Sequence, residues 1–476
     1  MNRVTDSMTP LPAIAPLTTF GRLRGWWQGL AATFRRSRGG TKSDRATARL
    51  IAQLGQLFEE SRTQRGGETS ARARARQIAA IYRGASLPQR SAILNLITHE
   101  FAPDRQELAA AIEAVQRAAN EDEMARAEAR LRLALDAPRG KFLAQFNLLS
   151  DGVQFLVDLR SDLLGLVPQD PGLEVLQVEL DGLFERWFDP GFLELKRITW
   201  QSPAVVLEKL MTYEAVHPIA SWSDLRNRLD TDRRVYAFFH PRLPDEPLIF
   251  VEIALLRGAP HTVQLLLDEK APVQDPRAAD TAVFYSISNT QRGLRGISFG
   301  NLLLKRVIED LRRDLPKLKV FCTLSPMPGF RKWLDEALAE NREALSDQEA
   351  VKLAVAVGTP DPARALNDAL ARPGWMSDPR VAEALRAPME RFCARYLLRE
   401  KSGGHPLDSV AQFHLHNGAL IDRIYWLADT SPRGLKQSYG MMVSYRYDLS
   451  EVDKNHERFQ NNGTIVATGR VQGLLD

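Results

Sequence analysis

Apolar positions recur with helical spacing through the first half of the chain. Leu50, Ile51, Leu54, Leu57 and Phe58 fall on one helix face, because residues three and four apart stack along a helix. The same patterning continues from about residue 45 to 190, and turn-forming residues interrupt it near Gly66-Gly67, Gly84, Pro103-Asp104, Pro138-Arg139-Gly140 and Pro168. The stretch from Glu107 to Leu135 is dense in the helix formers Ala, Glu, Arg and Leu. This half holds one histidine, His99, and no converging set of reactive side chains. Residues 45–190 are therefore expected to form a helical domain that serves architecture and homo-oligomer packing.

Beyond Asp189-Pro190-Gly191 the period shortens. Val235 to Phe239 and Leu248 to Ala254 are rich in β-formers and flank the turn Pro244-Asp245-Glu246-Pro247, which predicts an antiparallel hairpin or meander. Further strands are predicted at Ala282–Ser288, Lys319–Leu324 and Gly440–Tyr447, with helices at about 298–314, 331–341 and 345–356. Ser202-Pro203 predicts a helix start, with Ser at the cap and Pro in the first turn. The expected fold class is α+β: an N-terminal all-helical bundle domain, then a mixed α/β domain over residues 191–476 built on one sheet.

Composition narrows the classes. A chain of 476 residues exceeds one core, and 44% hydrophobic with 26% charged residues is ordinary for a folded protein. No stretch is long and apolar enough to span a bilayer, so no membrane partner is expected. The net charge of +4 is small but uneven: Arg22, Arg24, Arg35, Arg36, Arg38 and Lys42 meet almost no acid until Asp44. Residues 1–44 read as a basic, flexible, well-solvated tail. The tail lacks the aromatic-basic interleaving of a single-strand platform, so no nucleic acid is expected. Pro10, Pro12, Pro16 and Thr18 break any secretory h-region, while the Arg-rich, acid-poor composition leaves an organellar transit peptide open. The expected location is cytoplasmic, with the mitochondrial matrix as alternative. Cys322 and Cys393 are too few and too far apart for a disulfide framework or a Cys-based zinc site, and are expected to be buried small hydrophobes.

One local stretch carries chemistry. Val283 to Gly300 reads as strand, glycine-bearing loop and then a helix whose apolar side is Leu303, Val307, Ile308 and Leu311. Glycines at 293 and 296 let backbone approach a phosphate, free N–H groups at a helix start favour an anion, and Arg292 and Arg295 add charge. The loop resembles the pyrophosphate loop of GNAT acetyltransferases, although Gln291 to Gly296 departs from that spacing. No Gly-Lys-Ser/Thr follows, which excludes a P-loop. By itself such a loop is equally well a structural turn.

Three further stretches extend it. Phe284-Tyr285-Ser286-Ile287-Ser288 runs into Gln291, Gly293, Leu294 and Gly296, then Leu304-Lys305-Arg306. Leu324-Ser325-Pro326-Met327-Pro328-Gly329-Phe330 precedes Trp333-Leu334, and Phe413-His414-Leu415-His416-Asn417-Gly418-Ala419 precedes Trp426-Leu427-Ala428-Asp429 and Tyr445-Arg446-Tyr447. Together and in this order these motifs resemble the malonyl-CoA decarboxylases, most closely from about residue 200 to 450. The resemblance implies a GNAT-like catalytic domain over residues 191–476. It places the CoA arm at Arg295, Gly296, Ile297, Ser298, Phe299, Gly300 and Asn301. It further implies Ser325 and His414 as the catalytic serine and histidine, with Ser286, Asn417 and Tyr447 toward the substrate, malonyl-CoA. Ser298 stands where animal members have an acidic residue, so no separate role is carried to it.

The implied reaction suits these residue types. Loss of carbon dioxide β to a thioester leaves an enolate that the thioester itself delocalises, so no cofactor and no metal is expected. The protein must orient the carboxylate, stabilise the enolate oxygen and protonate carbon. Histidine is a natural general acid near neutral pH, and serine can hydrogen-bond the departing carboxylate or relay a proton. Plainer readings exist for each residue. A Ser before Pro is commonly a turn residue. His414 alternates with Phe413 and Leu415 and is equally well a satisfied core or surface histidine; on a strand His416 would share its parity, and an isolated pair is usually not a metal site. A strand tyrosine such as Tyr447 more often packs with its hydroxyl at the rim. The rival functions are a GNAT-type N-acyltransferase, which leaves the Ser325 and His414 motifs unexplained, and a non-catalytic scaffold.

Overall fold

The computed structural model describes residues 42–63, 67–136, 138–297 and 300–475. Backbone contacts divide the chain into two units, one ending at Leu180 and one running from Asp181 to Asp476. The basic segment 1–41, with most of the expected tail, lies outside the described residues.

Among its described residues the first unit is built of helices joined by turns. Helices Lys42–Arg62, Glu68–Gly84, Leu87–Glu100, Arg105–Arg117, Glu121–Leu135, Pro138–Ala144 and Gly152–Leu166 follow one another through short turns. The stripe read on the first of them packs as expected, with Ile51, Leu54 and Phe58 buried. Phe58 meets Phe101 and Phe142 at ring separations of 5.5 and 5.2 Å, and Phe146 joins Phe142 to Phe155. Two details differ from expectation. Pro138-Arg139-Gly140 opens a helix, because proline in a first turn gives up an N–H that would have no intrahelical partner. The stretch 107–135 is interrupted, because Asn120 caps a new helix by accepting from the Glu123 N–H at 2.9 Å.

The second unit carries strands β1 Glu194–Ile198, β2 Arg233–Phe239, β3 Ile249–Leu256, β4 Thr281–Asn289, β5 Val320–Thr323, β6 Ser325–Pro326, β9 Leu420–Tyr425 and β10 Met442–Arg446, with the short pair β7 Lys401–Ser402 and β8 His405–Pro406 apart from them. The main sheet runs β1-β2-β3-β4-β5-β10-β6, with β9 also paired to β10. β1 to β4 are antiparallel neighbours, and β4 and β5 are parallel. A parallel pair needs a crossover, which helix Gly300–Asp314 supplies. A helical unit followed along the chain by a mixed sheet is the expected fold class, and strand, loop and helix follow in the order read from Val283 onward. Val283, Tyr285, Cys322, Leu324 and Met442 form part of a core on one side of this sheet. Both cysteines are free and buried.

Two local expectations are corrected. The helix after Ser202-Pro203 is Ala204–Tyr213 with Pro203 at its N-cap, and the Ser202 hydroxyl instead accepts from the Thr199 N–H at 3.0 Å. His414 is not on a strand. It lies in helix Ser409–His416, which Asp408 caps by accepting from the N–H groups of Val410 and Ala411 at 3.0 and 2.8 Å. On a helix, positions two apart diverge, so His414 is buried while His416 is exposed. Among the described residues no helix is long and apolar enough to cross a membrane.

Candidate active site

β5, Leu324 and β6 bring Thr323 and Ser325 to one side of the sheet, two positions apart. Ser325 pairs in register with Val443 of β10, and its hydroxyl lies 2.9 Å from the Thr323 hydroxyl. Thr323 in turn accepts from the Tyr445 N–H at 3.0 Å. Helix Ser409–His416 delivers His414 to the same place: Nε2 is 3.2 Å from Ser325 Oγ, and Nδ1 is 2.7 Å from the Tyr447 hydroxyl. The Tyr445 ring stacks on the imidazole, with centroids 4.5 Å apart. Residues 323, 325, 414, 445 and 447 thus converge from three separate segments.

The environment sets protonation. Burial alone pushes His414 down to about 3, with no carboxylate to offset it. Burial also raises the Tyr447 phenol well above its ordinary value, so it keeps its proton. One consistent arrangement follows. Tyr447 O–H donates to Nδ1, Nε2–H donates to Ser325 Oγ, and Ser325 O–H donates to Thr323. A neutral imidazole with a fixed tautomer thereby presents its proton at the serine.

The other expected residues are placed as follows. Ser286 is buried on β4, and its hydroxyl donates to both oxygens of Glu214 at 2.7 and 2.9 Å. The β3–β4 register sets Glu252 against Ser286 but Ile253 against Phe284, so Tyr285 is an extra residue. Phe284 and Ser286 therefore face opposite sides of the sheet. Phe284 is on the His414 side, its ring 6.5 Å from that of Tyr447. Ser286 is instead drawn into a buried polar set around Glu214. Nearby, Glu252 is pushed up to about 7 by burial, against the pull of Arg228, whose guanidinium lies 3.0 Å away. Asn417 is buried at the end of the helix that carries His414. In the expected CoA loop, Arg295 and Gly296 are exposed, Ile297 is half-buried, and Gly296 has φ +89°, a left-handed value that favours glycine. Gly300 and Asn301 open helix Gly300–Asp314, while Ser298 and Phe299 lie outside the described residues.

Four contributors escaped the sequence reading. Thr323 sat beside a quoted motif, and Tyr445 lay within one without being given a role. Asp408, a capping residue just before an apolar run, was a legible signal. Glu214 had none, being 72 residues from Ser286. Among the described residues no three His, Cys, Asp or Glu side chains are grouped to hold a metal ion.

The family model "Malonyl-CoA decarboxylase C-terminal domain" matches residues 191–476, and "Malonyl-CoA decarboxylase N-terminal domain" matches residues 101–188. The mitochondrial malonyl-CoA decarboxylase of Anser anser anser is 34% identical over 472 residues, covering 95% of this chain and 93% of the relative. That of Mus musculus is 36% identical over 408 residues, covering 82% of each. Among crystal structures, malonyl-CoA decarboxylase from Rhodopseudomonas palustris aligns with TM-score 0.78 at 40% identity, covering 90% of this chain and 99% of the other. The Agrobacterium vitis enzyme aligns with TM-score 0.80 at 38% identity, covering 88% and 98%. With one model matching residues 191–476, a second matching 101–188, and identity sustained over nearly the whole length, this chain belongs to the malonyl-CoA decarboxylase family.

Proposed function

We propose that the chain converts malonyl-CoA to acetyl-CoA and carbon dioxide without a bound cofactor, using Ser325 and His414 as the reacting pair. The observation that carries this is the His414 Nε2 to Ser325 Oγ contact of 3.2 Å, with Tyr447 holding the opposite ring nitrogen. In the reaction one C–C bond breaks and its electron pair passes into the thioester as an enolate. One C–H bond then forms, so one proton is consumed. Ser325 turns its hydroxyl to the substrate carboxylate and holds it out of the carbonyl plane, where the breaking bond overlaps the π system. The arriving carboxylate raises the affinity of His414 for a proton from its low resting value. His414 is then the acid that protonates the enolate carbon, with Tyr447 fixing the ring orientation.

The exposed Arg295 and the loop through Asn301 receive the phosphates of the CoA arm. Self-association through the helical unit has a basis in the exposed Ile112, Leu133 and Leu135, and light scattering would test it. A cytoplasmic location, or a mitochondrial one as in the names of the goose and mouse relatives, is tested by fractionation.

Purified protein incubated with malonyl-CoA, without added metal or cofactor, should form acetyl-CoA detectable by mass. The His414→Ala variant should bind acetyl-CoA but form no product. Near-normal turnover in that variant removes the role of His414, and unchanged malonyl-CoA with the unaltered protein overturns the reaction.

A further inference from the structure

We propose that the side-chain amide of Asn417 donates through Nδ2 to the thioester oxygen as it becomes an enolate; this rests on the decarboxylase reading above. Asn417 is 3% exposed, and neither Oδ1 nor Nδ2 has a hydrogen-bond partner among the described residues. Leaving a buried amide unbonded is costly, so such a group persists where something other than the fold needs it. It follows His414 by three residues at the end of the same helix, which makes the two side chains neighbours on one face.

Its position is held from both directions. The Asn417 N–H donates to the Phe413 carbonyl at 3.1 Å. Gly418 takes φ +78°, with no room for a Cβ against the Val452 backbone, and its carbonyl accepts from Asn455 Nδ2 at 3.4 Å. Ser325, His414 and Tyr447 already spend polar atoms on one another, whereas the Asn417 amide, three positions on from His414, has no partner among the described residues. The Tyr445 hydroxyl also lacks a partner among the described residues, and burial first, then Asp408, Cys393, Tyr396 and Tyr447, raises its phenol well above the ordinary value, so it too is a neutral donor. An amide suits the task. Being neutral, it does not stabilise the ground-state carboxylate as a lysine would, and its hydrogen bond strengthens as charge develops on the oxygen.

The test is kinetic and thermal together, on full-length Asn417→Ala and on Asn417→Leu, which nearly preserves volume. The expected result is a kcat lower by about 100-fold or more, with KM for malonyl-CoA and acetyl-CoA affinity within about threefold. The melting temperature of Asn417→Leu should be no lower than that of the unaltered protein, because no hydrogen bond among the described residues is lost, whereas Asn417→Ala also leaves a cavity. A kcat within about threefold of the unaltered protein in both variants overturns the proposal, as does a clear fall in the melting temperature of Asn417→Leu, which would mark the amide as structural. If the unaltered protein itself forms no acetyl-CoA, the underlying reaction fails instead.

Discussion

Acidification should weaken the fold through His414 in particular. An unfolded histidine titrates near 6.5, whereas burial holds His414 at about 3 in the folded protein. Below pH 6.5 the unfolded chain therefore takes up a proton that the folded chain refuses, and stability falls with pH until about 3. At about pH 5 the gap is about 1.5 pH units, worth about 2 kcal/mol at 1.36 kcal/mol per unit. His217, lowered to about 4, acts in the same sense, and Glu252, raised to about 7, acts oppositely. The informative quantity is thus a difference. His414→Gln keeps hydrogen-bonding capacity but does not titrate. Denaturant unfolding of both proteins at about pH 7 and about pH 5 should show the unaltered chain losing about 2 kcal/mol more than the variant. Equal losses, within about 0.5 kcal/mol, would refute the claim that the imidazole is buried neutral.

Removing the hydroxyl in Tyr447→Phe frees the His414 ring and should lower kcat by about 10- to 100-fold with little change in KM, as steady-state kinetics would show. Gly418→Ala forces a side chain into a left-handed position against the Val452 backbone, and thermal unfolding should record a loss of about 2 kcal/mol or more. Arg228→Ala strands Glu252 and Asp224, which lie 3.0 and 2.8 Å from its guanidinium. The cost should be about 3–5 kcal/mol in denaturant unfolding, and it should shrink as acid protonates Glu252.

The chain sequence by itself determined what depends on near neighbours. Helical periodicity marked the first unit, and β-rich runs around Pro244-Asp245-Glu246-Pro247 marked β2 and β3, because each pattern is written in residues a few positions apart. The motifs around Ser286, Ser325 and His414 were likewise legible as words. What they say to one another was not. His414 and Ser325 are 89 residues apart, and His414 and Tyr447 are 33 apart. Their contacts exist because β6 and β10 pair in one register and an Asp408-capped helix aims the imidazole at that edge. Alternation of apolar residues around His414 suggested a strand, but the cap and the packing of Ala411, His414 and Leu415 chose a helix. The neutral state of His414 and the separation of Ser286 from Phe284 by one extra residue in β4 were also decided only in three dimensions. Burial and register are properties of packed neighbours, and no local stretch of sequence contains them.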